Sequence, residues 1–251
     1  QISDSLFERN HAGAYGGGIH IGGNAYMINI INTSFIGNTA GQSGGAVYVN
    51  LYDSNGKVRF TSNSGEEIVF RGNMEGVNDE FRTPESNAIH IANGNVELKT
   101  MSNSESKITF DDSISGTVID HTDSQGNLVS KEYKGNLHII SDKGGEITLN
   151  NQIKNLNLVH KSGTLRLNTS DKLADGASIL QNVNLTFSPD GNDSIRFDLA
   201  NGKLDNLLIN NLSITEPTGD QKLLIALDVD LNQGLSDFFE VKGGSTGTLK
   251  F

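Results

Sequence analysis

The densest group of titratable side chains in this sequence is Asp111, Asp112, Asp120, His121 and Asp123. Two carboxylates whose surroundings separate their pKa values can share acid and base roles in glycoside cleavage or elimination. The local pattern points the other way. Asp111-Asp112 follows a strand-like run and precedes Ser113, as a turn does, and the second group sits in a stretch containing Gly126. Solvated turns account for both, so no catalytic residue is assigned. Asp190-Gly191-Asn192-Asp193 and Asp120-x-x-Asp123-x-Gln125-Gly126-Asn127 offer oxygen ligands of the kind calcium takes. Neither continues into the full loop with its distal Glu, and turn formation explains both. His20, Tyr48 and His90 are a third candidate, because they occupy equivalent positions of an internal repeat. They read as a solvent-facing aromatic ladder and a possible ligand-facing surface, in preference to a metal site. There is no Cys. Gly16-Gly17-Gly18 leads into a strand, not into the helix a phosphate loop requires. No metal and no cofactor is assigned.

What must position these residues is the repeat. Phe7-x-x-Asn10 leading to Gly16-Gly17-Gly18-Ile19 overlays Phe35-x-x-Asn38 leading to Gly44-Gly45-Ala46-Val47 at an offset of 28 residues. Phe70-x-x-Asn73 and Ala88-Ile89 repeat it with an insertion that carries Pro84. A fixed pattern with variable spacers is how a solenoid stores loops on one face. Apolar and polar residues alternate in Ile19-His20-Ile21, Val47-Tyr48-Val49 and Ile89-His90-Ile91, as in a half-buried strand. Ile19, Val47 and Ile89 therefore point inward, and His20, Tyr48 and His90 point out. Stacking at about 4.8 Å per rung turns the Phe and Asn positions into ladders. The Gly-Gly pairs suit tight corners, where a side chain obstructs.

Phe-x-x-Asn followed by Gly-Gly-Ala-(Ile/Leu/Val) resembles the repeat of the chlamydial-type polymorphic outer-membrane proteins, found in the passenger regions of autotransporters. The resemblance covers residues 1–92. Leu227-Asp228-Val229-Asp230-Leu231, Gly234, Ser236-Asp237, Val241, Gly243 and Gly247-Thr248-Leu249 resemble the closing rungs of autotransporter passengers. The resemblance implies a right-handed parallel β-helix displayed at a bacterial cell surface or outer membrane. It also implies an adhesin or recognition scaffold without catalysis. The implied partner is a protein or glycan on a host or neighbouring cell, with membrane contact only through a C-terminal barrel outside this sequence. A carbohydrate-active β-helical enzyme and an inert stalk are the alternatives.

Composition is compatible with that architecture. Only 35% of the 251 residues are hydrophobic and Trp is absent, which suits a thin elongated core. A net charge of −11 opposes nucleic acid and anionic membranes. The sequence reads as all-β, one solenoid over 1–251, with Phe-x-x-Asn rungs over 1–92. Middle rungs with a protruding loop near Val118 to Tyr133 fill 93–134, and Leu-rich rungs fill 135–251. A tight hairpin or protruding loop is expected at Asp53-Ser54-Asn55-Gly56. The chain reads as a fragment whose export signal and anchor lie elsewhere. The apolar run from Leu223 to Leu231 leads to the expectation that the C-terminal rungs are the most stable.

Overall fold

The computed structural model describes all residues except 54, 78–79, 81, 102–104, 143, 169–177, 191–193, 203–205, 216–221, 231, 233–234 and 247–251. Alternating apolar and polar residues set strand after strand. Val47–Leu51 and Gly135–Ser141 alternate strictly between buried and half-buried positions. The alternation works because neighbouring strands are in parallel register and present the same face inward.

Three parallel sheets result. Sheet one stacks Met27–Ile31, Lys57–Ser62, 94–100, Gly135–Ser141, 157–160, Asn184–Phe187 and Asn211–Ile214. Sheet two stacks Leu6–Glu8, Ser34–Ile36, Glu67–Arg71, Lys107–Phe110, Glu146–Leu149, 163–167, Ile195–Asp198 and Leu223–Ala226. Sheet three stacks Ile19–Gly23, Val47–Leu51, 89–93, Ile114–Gly116, Ile153–Lys154 and Leu180–Gln181. The chain visits sheets one, two and three in turn and returns to sheet one a rung further on. This is the parallel β-helix expected from the repeat. The first rungs add a short fourth side, where His11–Ala12, Thr39–Ala40 and Met74–Glu75 pair in parallel.

Inside the coil the repeat becomes contact. Phe7, Phe35, Phe70 and Phe110 are register partners on sheet two. Their rings stack nearly face to face, with centroids 5.1, 5.0 and 4.2 Å apart. Phe35, Phe70 and Phe110 are fully buried; Phe7 is half-buried. Leu149 and Leu167 continue the column, as the change from Phe to Leu in the sequence suggests. Aromatic packing returns at Phe187 and Phe197, which meet edge to face at 5.3 Å.

The Gly-Gly pair has two distinct physical reasons. Gly44 has φ +71°, a conformation that Gly adopts at little cost. A Cβ on Gly45 would lie 2.5 Å from both Met74 N and Asn87 O, so neighbouring rungs approach too closely for any side chain.

One expectation is corrected. At Asp53 to Gly56 the chain makes a turn, with Gly56 N–H donating to Asp53 O at 2.9 Å; Ser54 lies outside the described residues. The flanking strands belong to different sheets and pair with other rungs, so this is a corner of the coil and not a hairpin. The C-terminal rungs leave part of their apolar sequence at the surface. Leu224 is exposed because strand alternation sends every second residue of Leu223–Ala226 outward whatever its polarity; Leu227 and Val229 are also exposed, and Leu223 and Ile225 are half-buried.

Candidate functional site

His20, Tyr48 and His90 come together as their repeat positions require. They are direct register partners on sheet three, and Ser115 follows His90 in the same column. Ile21, Val47, Val49, Ile89 and Ile91 on the same strands are buried. They hold the backbone so that the intervening side chains project outward. His20 meets Tyr48 edge to face at 5.1 Å, and Tyr48 stacks on His90 at 5.6 Å. Tyr15 joins the strip from the preceding corner, 4.5 Å from Tyr48. Tyr52, after the Tyr48 strand, is exposed and influences the Tyr48 hydroxyl. Burial, then Tyr15 and Tyr52, raises the Tyr48 pKa, so the phenol stays protonated and able to donate.

His90 closes one end of this strip. Its Nδ1 lies 2.8 Å from Ser115 Oγ and its Nε2 3.1 Å from Thr117 Oγ1. Burial, reinforced by the Arg82 charge, lowers its pKa to about 4. A neutral ring with both nitrogens engaged is a structural member of the ladder. Tyr15, His20 and Tyr48 thus provide the accessible part of the strip. Such a surface offers flat π faces, hydroxyl groups and one imidazole, which suits contact with sugar rings or protein side chains.

The acidic group does not assemble into a catalytic pair. Asp112 is buried at the corner after Lys107–Phe110, and its oxygens accept four bonds. Gly72 N–H and the Ser86 hydroxyl reach Oδ1 at 2.9 and 3.0 Å. Asn73 reaches Oδ2 with its backbone N–H at 2.9 Å and its side-chain Nδ2 at 2.7 Å. Burial pushes the Asp112 pKa up against the pull of these donors. Asp111 pairs with Arg71 and accepts from Asn150. Asp120, His121 and Asp123 lie on a separate antiparallel ribbon, Val118–Thr122 with Leu128–Tyr133. There Asp120 faces Lys131 and His121 faces Glu132. Asp123 closes the ribbon tip by accepting the N–H groups of Gln125 and Asn127 at 2.8 and 2.9 Å. Those bonds, led by Asn127, hold its carboxyl below the usual range. The Asp190 to Asp193 candidate falls largely outside the described residues.

Phe35 and Asn38 of the ladders, the Gly44-Gly45 corner and Tyr48 all belong to one rung, and that rung gives the family comparison. Residues 32–50 match the Chlamydia polymorphic membrane protein (Chlamydia_PMP) repeat. The matched segment of this polymorphic membrane protein repeat contains Phe35 and Asn38, which build the interior, and Tyr48, which builds the outer strip. No curated protein and no solved structure gives a significant match to the chain.

The expected Asn ladder forms, but its end and a second ladder escaped sequence reasoning. Asn10, Asn38 and Asn73 form an ascending chain of carboxamides in which Asn10 Nδ2 donates to Asn38 Oδ1 at 2.9 Å and Asn38 Nδ2 to Asn73 Oδ1 at 3.0 Å. Asp112 receives its end. The repeat shows the Asn positions, but the terminating carboxylate stands two residues after Phe110 instead of three, which hid it. A second ladder runs along sheet one through Asn95, Asn136, Asn157, Asn184 and Asn211. Each Nδ2 donates to the preceding Oδ1 at 2.8–3.1 Å. Its signal is an Asn directly before Leu at 136, 157, 184 and 211.

Proposed function

We propose that this chain is a surface-displayed recognition scaffold, an adhesin-type passenger segment that binds a protein or glycan on a host or neighbouring cell and catalyses no reaction. The observation that carries this reading is the strip of Tyr15, His20 and Tyr48, aromatic groups left at the surface of a regular sheet. A sheet built only to be a stalk gains nothing from exposed aromatics, whereas recognition surfaces concentrate them. The repeat match supports the reading, because the family it names is one of membrane proteins. The dispersal of Asp111, Asp112, Asp120 and Asp123 among structural bonds supports the absence of catalysis. Display beyond the outer membrane is part of the same proposal.

Binding of the labelled protein to cultured epithelial cells tests it, using wild type beside a Tyr48→Ser/His20→Ser double variant. Saturable binding by wild type, reduced about tenfold or more in the variant, is expected for loss of a central aromatic anchor. Equal binding by the two proteins removes the strip from the proposal. An absence of saturable wild-type binding removes the adhesin reading.

A further inference from the structure

The ribbon of Val118–Thr122 and Leu128–Tyr133 does not stand clear of the coil. Tyr133 donates its hydroxyl to Asn182 Oδ1 at 2.8 Å and accepts from Asn210 Nδ2. Asn210 Nδ2 also donates to Asn182 Oδ1 at 2.6 Å. The base of the ribbon is thereby pinned over rungs that come much later in the chain. Beneath it lies a groove of about 420 Å³, within the usual range of small-ligand sites.

Two lysines and three asparagines are among the residues that line the groove. Lys131 comes from the ribbon and Lys242 from the turn after Phe238–Val241; Asn184 and Asn211 come from the sheet-one ladder. Both lysines are exposed. The ladder orients the amides, since Asn211 Nδ2 donates to Asn184 Oδ1 at 2.8 Å while Asn211 Oδ1 accepts from Gly244 N–H at 3.0 Å. A carboxamide presents a donor and an acceptor side by side, which matches vicinal hydroxyl groups. Lys131 has a loose partner in Asp120 at 3.5 Å, an exposed pair that costs little to exchange.

We propose that this groove binds an acidic saccharide unit, a pyranose bearing a carboxylate or a sulfate. The lysines select the negative group, and the amides with Tyr133 and its neighbours take the hydroxyls. A small anion is favoured over a long polyanion because the chain as a whole carries −11 and repels extended negative charge. This site is built from different rungs than the aromatic strip on sheet three, so the two proposals stand or fall separately.

Titration calorimetry on the full chain tests it with three probes: a glucuronic-acid disaccharide, a sulfated N-acetylglucosamine disaccharide and neutral lactose. Saturable binding of at least one acidic disaccharide is expected, with none by lactose at the same concentrations. Lys242→Gln and Lys131→Gln should each weaken that binding about tenfold, as expected when one member of a close charge pair is removed. Tyr48→Ser should leave it unchanged. Both lysines are exposed, so matching circular dichroism and melting curves are expected to show that the variants fold. No binding of either acidic probe, equal affinity for lactose, or affinity unchanged in a Lys131→Gln/Lys242→Gln double variant would overturn the proposal.

Discussion

Asn73 gives both its backbone N–H and its side-chain amide to one oxygen of Asp112, at 2.9 and 2.7 Å. The buried carboxamide ladder therefore ends on a group that only accepts. Each Asn below it needs an acceptor above, and a further Asn could continue the chain only by finding another. A carboxylate ends the series while also receiving Gly72 N–H and the Ser86 hydroxyl. What resembled half of an acid/base pair is the terminus of a structural network.

Asp112→Ala should cost about 3–5 kcal/mol, because it strands several buried donors at once. Asp112→Asn should cost about 1–3 kcal/mol, since its NH₂ group must face a donor. Urea unfolding measures both. A loss below about 0.5 kcal/mol for the Ala variant, the range of an ordinary surface change, would show that water replaces the network without penalty.

Gly45→Ala tests the close approach of rungs. The new Cβ would sit 2.5 Å from Met74 N and Asn87 O, and forcing the rungs apart should cost about 1–3 kcal/mol. Gly13→Ala, where the added atom meets nothing within 4 Å, should change stability by no more than about 0.5 kcal/mol. Similar melting temperatures for the two variants would refute the steric account of the Gly-Gly pair.

His90, His138 and His160 give the fold a pH dependence. Burial is the leading cause in each, lowering the pKa from 6.5 to about 4. Between those values the unfolded chain binds more protons than the folded one, so stability rises with pH across that window and is lost as pH falls through it. The urea midpoint should drop steadily from pH 7 to pH 5, before most carboxylates titrate. His160 is fully buried, with Nε2 3.1 Å from Gly163 O, so His160→Gln should flatten part of the slope. A midpoint independent of pH over this range would contradict the burial of these rings.

Amide exchange should be slowest in the central rungs, 89–167, and faster in 211–241. Val96, Leu98, Ile108, Phe110, Leu137, Ile139 and Ile147 are all fully buried, whereas Leu212 and Ile214 keep 7% and 8% of their surface. Stability in a solenoid is a sum over rungs and their neighbours, and less complete packing opens more often. Stronger protection in 211–241 would restore the ordering that the Leu-rich sequence suggests.

The interior of this protein was legible because its repeat carries long-range information in local form. In a parallel coil, residues at equivalent positions become register partners, so Phe7, Phe35 and Phe70 had to stack and His20, Tyr48 and His90 had to align. Phe110 was harder to place, since Asp112 follows it at a shorter spacing than Asn38 follows Phe35. The sheet-one ladder went unread because its Asn residues recur at unequal intervals.

By itself, then, the order of residues determined the alternation that buries one strand face, the ladder positions and the corners where Gly is needed. These depend on contacts between units that look alike, and similarity is visible in the sequence. Only the tertiary structure decided that Asp112 ends a ladder, that Asp120 and Asp123 lie away from it, and that Tyr133 reaches Asn182 and Asn210, 49 and 77 residues on. Those pairings join segments with no repeat relationship. Their partners are set by how far each loop extends and where the coil has turned by then, and no local spacing encodes that.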